Sequence, residues 1–167
     1  MKFTNAVVAG ALASMALFAG TGQAIAQAYR FTALPAANGY LNAEPTAIND
    51  FGQVVGISFN TNLESSQATI WNNGTPSALG YAGGGISQAY GIDNGGQVVG
   101  GVNVSTTGND WHAVVWSGST TRDLGPGMAF AINKSGQVAG TNERQQAVIW
   151  NGGTVTQLGS GPDQTGQ

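Results

Sequence analysis

The stretch Ala47–Gly56, AINDFGQVVG, returns as GIDNGGQVVG from Gly91 and as AINKSGQVAG from Ala131. Aligned, the copies hold Ile48, Ile92 and Ile132, then Gly52, Gly96 and Gly136, at fixed spacing. Gln53, Gln97 and Gln137 follow directly, and Gly56, Gly100 and Gly140 close the motif. Self-similarity of this kind marks a repeat architecture, in which one supersecondary unit is copied along the chain. The positions that change between copies, Asp50-Phe51, Asn94-Gly95 and Lys134-Ser135, are those a ligand would need constant. The motif therefore reads as the turn of a structural unit.

A second block follows each copy: ATIWNNG, HAVVWSG and AVIWNGG, with Trp71, Trp116 and Trp150 in register. Eight residues beyond each Trp stand Leu79, Leu124 and Leu158, each followed by Gly. The spacing predicts repeats at about 45–87, 88–127 and 128–159, each of four short strands. Asn or Asp opens and Gly ends the turn between the first two strands, as type I turns prefer. NNGT, SGST and NGGT supply the residues a tight hairpin wants between the last two. YRFTALP from Tyr29 resembles a fourth strand standing alone, at 29–34, before the first repeat.

The Trp-bearing strands decide the architecture. In AVIW, Val148 and Trp150 point one way and Ala147 and Ile149 the other, and both sets are apolar. A half-exposed strand would alternate apolar with polar, whereas two apolar faces imply sheets covered front and back. The fold class expected is all-β, a propeller-like array of three four-stranded units, with a β-trefoil as the alternative. Three blades are fewer than propellers usually close with. Two chains forming a ring, an open stack with capped ends, or a short member of a longer array would each resolve that.

The first residues do not belong to this domain. Met1-Lys2, an apolar run from Ala6 to Ala19, and small residues at Ala24, Ala26 and Ala28 read as a signal peptide over 1–28. Such a run is short of the roughly 20 apolar residues of a spanning helix, so no membrane span is expected after cleavage. Export to the periplasm or beyond follows, with a β-repeat domain at 29–159 and a flexible tail at 160–167. The chain has no cysteine, which excludes disulfides and lipid attachment through a thiol. Apart from Lys2, the basic residues are Arg30, Arg122, Lys134 and Arg144, scattered along the chain. Nucleic acid is not an expected partner, because phosphate neutralisation needs a basic track.

Chemistry is sparse. The carboxylates Glu44, Asp50, Glu64, Asp93, Asp110, Asp123, Glu143 and Asp163 show no spacing that predicts a catalytic pair. His112 is the lone histidine, so no zinc centre and no cofactor are expected. IDNGG is rich in oxygen ligands, but the third copy puts Lys134 where a calcium ligand would be wanted. Trp71, Trp116 and Trp150 read as core anchors. Trp111 stands outside the repeat, after the polar loop STTGND, and Asp110, Trp111 and His112 form a minimal binding constellation.

AINDFGQVVG, HAVVWSG and TTRDLG together resemble the HAF family of bacterial extracellular repeat proteins. Its repeat runs roughly A-x-x-I-N-x-x-G-Q-V-V-G, then H-A-F-x-W, then a T-D-L-G block. The His-Ala pair survives once, at His112-Ala113, and Gln67 and Gln146 replace the His elsewhere. The resemblance implies export and a β-rich repeat, and it carries no catalytic residues. The functional expectation is a non-catalytic module for binding or surface architecture. Its partner would be a carbohydrate, another surface protein or a second copy; a lectin-like module and a hydrolase with carboxylates assembled across repeats are the alternatives.

Overall fold

The computed structural model describes residues 30–61, 66–80, 86–105 and 108–159; the expected signal peptide and tail lie outside them. Among the described residues there is no helix. Strands β1 (Asn42–Ile48), β2 (Val54–Phe59), β3 (Ser66–Asn72) and β4 (Thr75–Ala78) form a four-stranded antiparallel sheet in chain order. The second sheet has seven strands: β5 (Ser87–Ile92), β6 (Val98–Asn103), β7 (Trp111–Ser117), β8 (Thr120–Ile132), β9 (Val138–Asn142), β10 (Ala147–Asn151) and β11 (Thr154–Gln157). Strand β8 serves twice, pairing β7 through Pro126 and β9 from Gly127 onward. The fourth strand of one meander and the first of the next are thus one continuous strand. Neither sheet closes into a barrel, which removes the β-trefoil alternative.

The turn motif folds by its Asn or Asp. Asn49 Oδ1 accepts from the Phe51 and Gln53 amides at 3.1 and 3.0 Å, and its Nδ2 donates to Gln53 Oε1 at 2.8 Å. Asn133 repeats all three bonds with Ser135 and Gln137. Asp93 Oδ1 accepts from the Gln97 amide at 2.8 Å. Gly52, Gly96 and Gly136 take φ values of 74°, 78° and 74°, a left-handed conformation that glycine adopts without strain. Successive turns also lie against each other. Asn49 Nδ2 donates to the Asp93 carbonyl at 3.0 Å, and Asn94 Nδ2 donates to Asp50 Oδ2 at 2.7 Å.

Packing is face to face. Val55, Ala68 and Leu79 of the first meander cluster with Val98, Val114 and Trp116 of the second. Val99, Ala113 and Val115, from the other side of the second, cluster with Val138, Val148 and Trp150 of the third. The seven-stranded sheet is therefore folded over at β8. Each meander begins with a bulge, at Thr46, Tyr90 and Phe130. These residues join neighbours: Thr46 Oγ1 donates to the Ala89 carbonyl at 2.8 Å, and the Tyr90 and Phe130 rings lie 5.5 Å apart. Where β1 and β2 nearly touch, a Cβ on Gly56 would stand 2.0 Å from the Glu44 carbonyl oxygen. Gly100 and Gly140 are in the same position against Gln88 and Met128.

The end meanders differ from the inner one at equivalent positions, and one expected strand is missing. Ile92 and Ile132 are half-buried against the meander before them, but Ile48 is 66% exposed, since among the described residues no meander lies before it. Leu79 is 8% exposed and Leu158 is 49%, since among the described residues only Leu79 has a meander packed over it. The strand expected at 29–34 does not form, since residues 30–38 belong to no strand. That segment nevertheless fills a fourth strand's place: the Pro35 carbonyl accepts from Trp71 Nε1 at 2.7 Å, as Gly80 and Leu124 accept from Trp116 and Trp150.

Candidate functional site

A cleft of about 470 Å³ lies where β7 begins and β8 changes partners. One wall is Asn109, Asp110 and Trp111, the floor is Pro126, Gly127 and Met128, and Asn142, Glu143 and Gln145 face them.

The first wall is held by Asn103, which is buried at the end of β6. Its Oδ1 accepts from the Ser105 and Asp110 amides at 3.0 and 3.3 Å, and its Nδ2 donates to the Gly108 carbonyl at 3.0 Å. Trp111 Nε1 donates to Asn109 Oδ1 at 3.1 Å, which fixes the indole edge. A Cβ on Gly101 would stand 2.5 Å from Met128 Sδ and 3.0 Å from Trp111 Cε3. Glycine there leaves the space the two side chains occupy.

The opposite wall is a second use of the turn chemistry. Asn142 Oδ1 accepts from the Arg144 and Gln146 amides at 3.0 Å each, and Asn142 Nδ2 donates to Gln146 Oε1 at 3.0 Å. Gln145 occupies the glycine place with φ 59°, which is uncommon for a side chain of this kind and is held here by the bonds around it. The spacing Asn-x-x-x-Gln of NERQQ repeats that of Asn49 to Gln53, a signal present in the sequence and missed by its reading.

Of the three residues singled out, Asp110 and Trp111 line the cleft and His112 does not. Alternation along β7 turns His112 to the other face, where Nδ1 lies 2.7 Å from Asp123 Oδ2. Its Nε2 is 3.8 Å from Asp110 Oδ1, so the imidazole bridges two carboxylates. Asp123 Oδ1 also accepts from the Gly125 amide at 2.7 Å, holding the bulge at Leu124. This arrangement makes His112 a structural link. Asn109, Met128, Glu143 and Gln145 are among the lining residues that sequence reasoning did not select.

Asp110 is 59% and Glu143 65% exposed, so both carboxylates stay in water. Asp110 lies 3.8 Å from His112 Nε2, and Glu143 lies 4.0 Å from Arg144 Nε. The cleft sets one aromatic face beside amide and carboxylate side chains, so stacking and hydrogen-bonding groups converge in it. The chain matches no family model, no curated protein and no solved structure.

Proposed function

We propose that this chain is an exported, non-catalytic β-repeat binding module of the HAF type, its meanders set as propeller-like blades, with its ligand seated beside Trp111. The observation that carries the reading is the cleft itself. It combines one aromatic face with Asn109, Asp110, Glu143 and Gln145 on two walls contributed by different repeats. Planar polar groups around an aromatic platform favour carbohydrate over an extended protein surface, which makes the lectin-like form the preferred one.

A hydrolase would also need carboxylates drawn from different repeats, as Asp110 and Glu143 are. Their common exposure favours binding over turnover. A glycan array on the protein lacking residues 1–28, followed by titration calorimetry on the best ligand, tests the proposal. Trp111→Ala should weaken binding more than tenfold, at least the roughly 1.4 kcal/mol that such a factor represents, measured at a temperature where circular dichroism shows the variant folded, because the half-buried indole also packs beside Met128 over Gly101. An array silent above background, or a Trp111→Ala variant that binds as tightly as the parent, would sink the reading. Bond cleavage abolished by both Asp110→Asn and Glu143→Gln would replace it with the hydrolase.

A further inference from the structure

The cleft beside Trp111 carries a charge that the binding reading leaves unassigned. Its lining includes two carboxylates, Asp110 and Glu143, and no cationic side chain. They stand on different walls, so a ligand lying across the floor has one carboxylate on each side. Hydrogen-bonding capacity is one-sided too. Trp111 Nε1 is spent on Asn109 Oδ1 at 3.1 Å, and Asn142 Nδ2 on Gln146 Oε1 at 3.0 Å. Two donors that could have met the acceptors of a ligand are thus held inside the protein. Among the described residues neither carboxylate accepts a hydrogen bond: His112 Nε2 stays 3.8 Å from Asp110, and Arg144 Nε stays 4.0 Å from Glu143. Arg144 is itself exposed, and surface pairs of this kind hold weakly.

We propose that the group bound in this cleft is cationic, the ammonium of an amino sugar. The proposal rests on the binding reading above and narrows it to one class of ligand. An ammonium brings three N–H donors to a site whose charged groups are all acceptors. Carried on a ring that covers Trp111, it also comes near the negative face of the indole, where cations are attracted. A ring bearing a carboxylate or sulfate would instead set like charge between Asp110 and Glu143, which is costly. A neutral N-acetylated ring stacks equally well and gains neither charge contact.

Titration calorimetry on the protein lacking residues 1–28 tests this with glucosamine tetramers, one with free amines and one fully N-acetylated, at about pH 6, where amines and carboxylates are both charged. The free amine form should bind about tenfold tighter, the order of a cation–π contact joined to two partly shielded ion pairs. Raised salt should erase most of that difference. Asp110→Asn and Glu143→Gln should each shrink the preference by weakening the amine form. Glu44→Gln, on β1, removes a carboxylate outside the cleft and should leave the preference intact. Equal binding of the two tetramers, a preference that survives both cleft substitutions, or one that Glu44→Gln lowers as much, would overturn this inference and leave the binding reading in place. Failure to bind the amine tetramer while the glycan array shows another sugar bound would do the same. Trilysine bound as tightly as the amine tetramer would show that the ring contributes nothing, and would overturn the choice of a sugar. Silence toward both tetramers and the whole array would remove the binding reading itself, and this inference with it.

Discussion

Trp116 Nε1 donates at 3.0 Å to the carbonyl oxygen of Gly80, 36 residues earlier, and so fastens the second meander to the last residue of the Leu-Gly block before it. Thr121 Oγ1 reaches the same oxygen at 3.0 Å. The indole is buried in the cluster between the first two meanders. Trp116→Ala should lower the unfolding free energy by about 3–5 kcal/mol, the usual cost of emptying a buried aromatic site. Trp116→Phe should lose far less, with the missing hydrogen bond contributing roughly 1 kcal/mol, because Thr121 still satisfies Gly80. Urea denaturation of both variants measures the difference.

Gly100 and Gly52 predict opposite kinds of damage. A Cβ at Gly100 would stand 2.0 Å from the Gln88 carbonyl oxygen and 2.9 Å from Trp116 Cζ3, so Gly100→Ala must push β5 from β6. Its cost should exceed about 3 kcal/mol, the upper part of the range for overpacking. At Gly52 nothing lies within 4 Å, and the penalty of Gly52→Ala is the left-handed backbone alone, about 1–2 kcal/mol. Equal midpoints for the two variants would contradict the close approach of the strands.

Much of this was legible beforehand. The turn residues, the three tryptophans and the four-strand period follow from local chemistry, and local chemistry is what a repeated motif records. Exposure at Ile48 and Leu158 was not legible, because burial there depends on whether another meander lies alongside. The cleft was half legible. Asp110 and Trp111 stand out by breaking the repeat, whereas Glu143 and Gln145 reach the site through a turn whose glycine is replaced.

Tyr90 makes stability depend on pH. Burial, and then the negative charge of Glu44, push its phenol above the ordinary value of 10.0. The folded protein therefore holds this proton more tightly than the unfolded chain does. The stabilisation is fully present below pH 10 and is lost as pH rises through the folded value. Tyr90→Phe should flatten the alkaline limb of a stability profile measured by denaturant titration and leave the neutral region's slope unchanged.

Ala37 reports on the closure of the first meander. It is buried, and its amide donates to Ser58 Oγ. Ala37→Asp should lift the segment away and shift tryptophan emission to the red as Trp71 meets water. The loss of stability should be about 1–3 kcal/mol, the cost of leaving buried polar groups unpaired. An unshifted spectrum would mean that Pro35 and Ala37 do not shield the indole.

Strand β8 has no loop at its midpoint, and so there is no slack between the second and third meanders. Force applied at Pro126, Gly127 and Met128 pulls on one covalent backbone that is zipped to β7 on one half and to β9 on the other. Tension entering at the cleft is shared as shear across both ladders and does not peel either one strand at a time. On the proposed reading, the seat of the ligand and the joint between the second and third meanders are the same few residues.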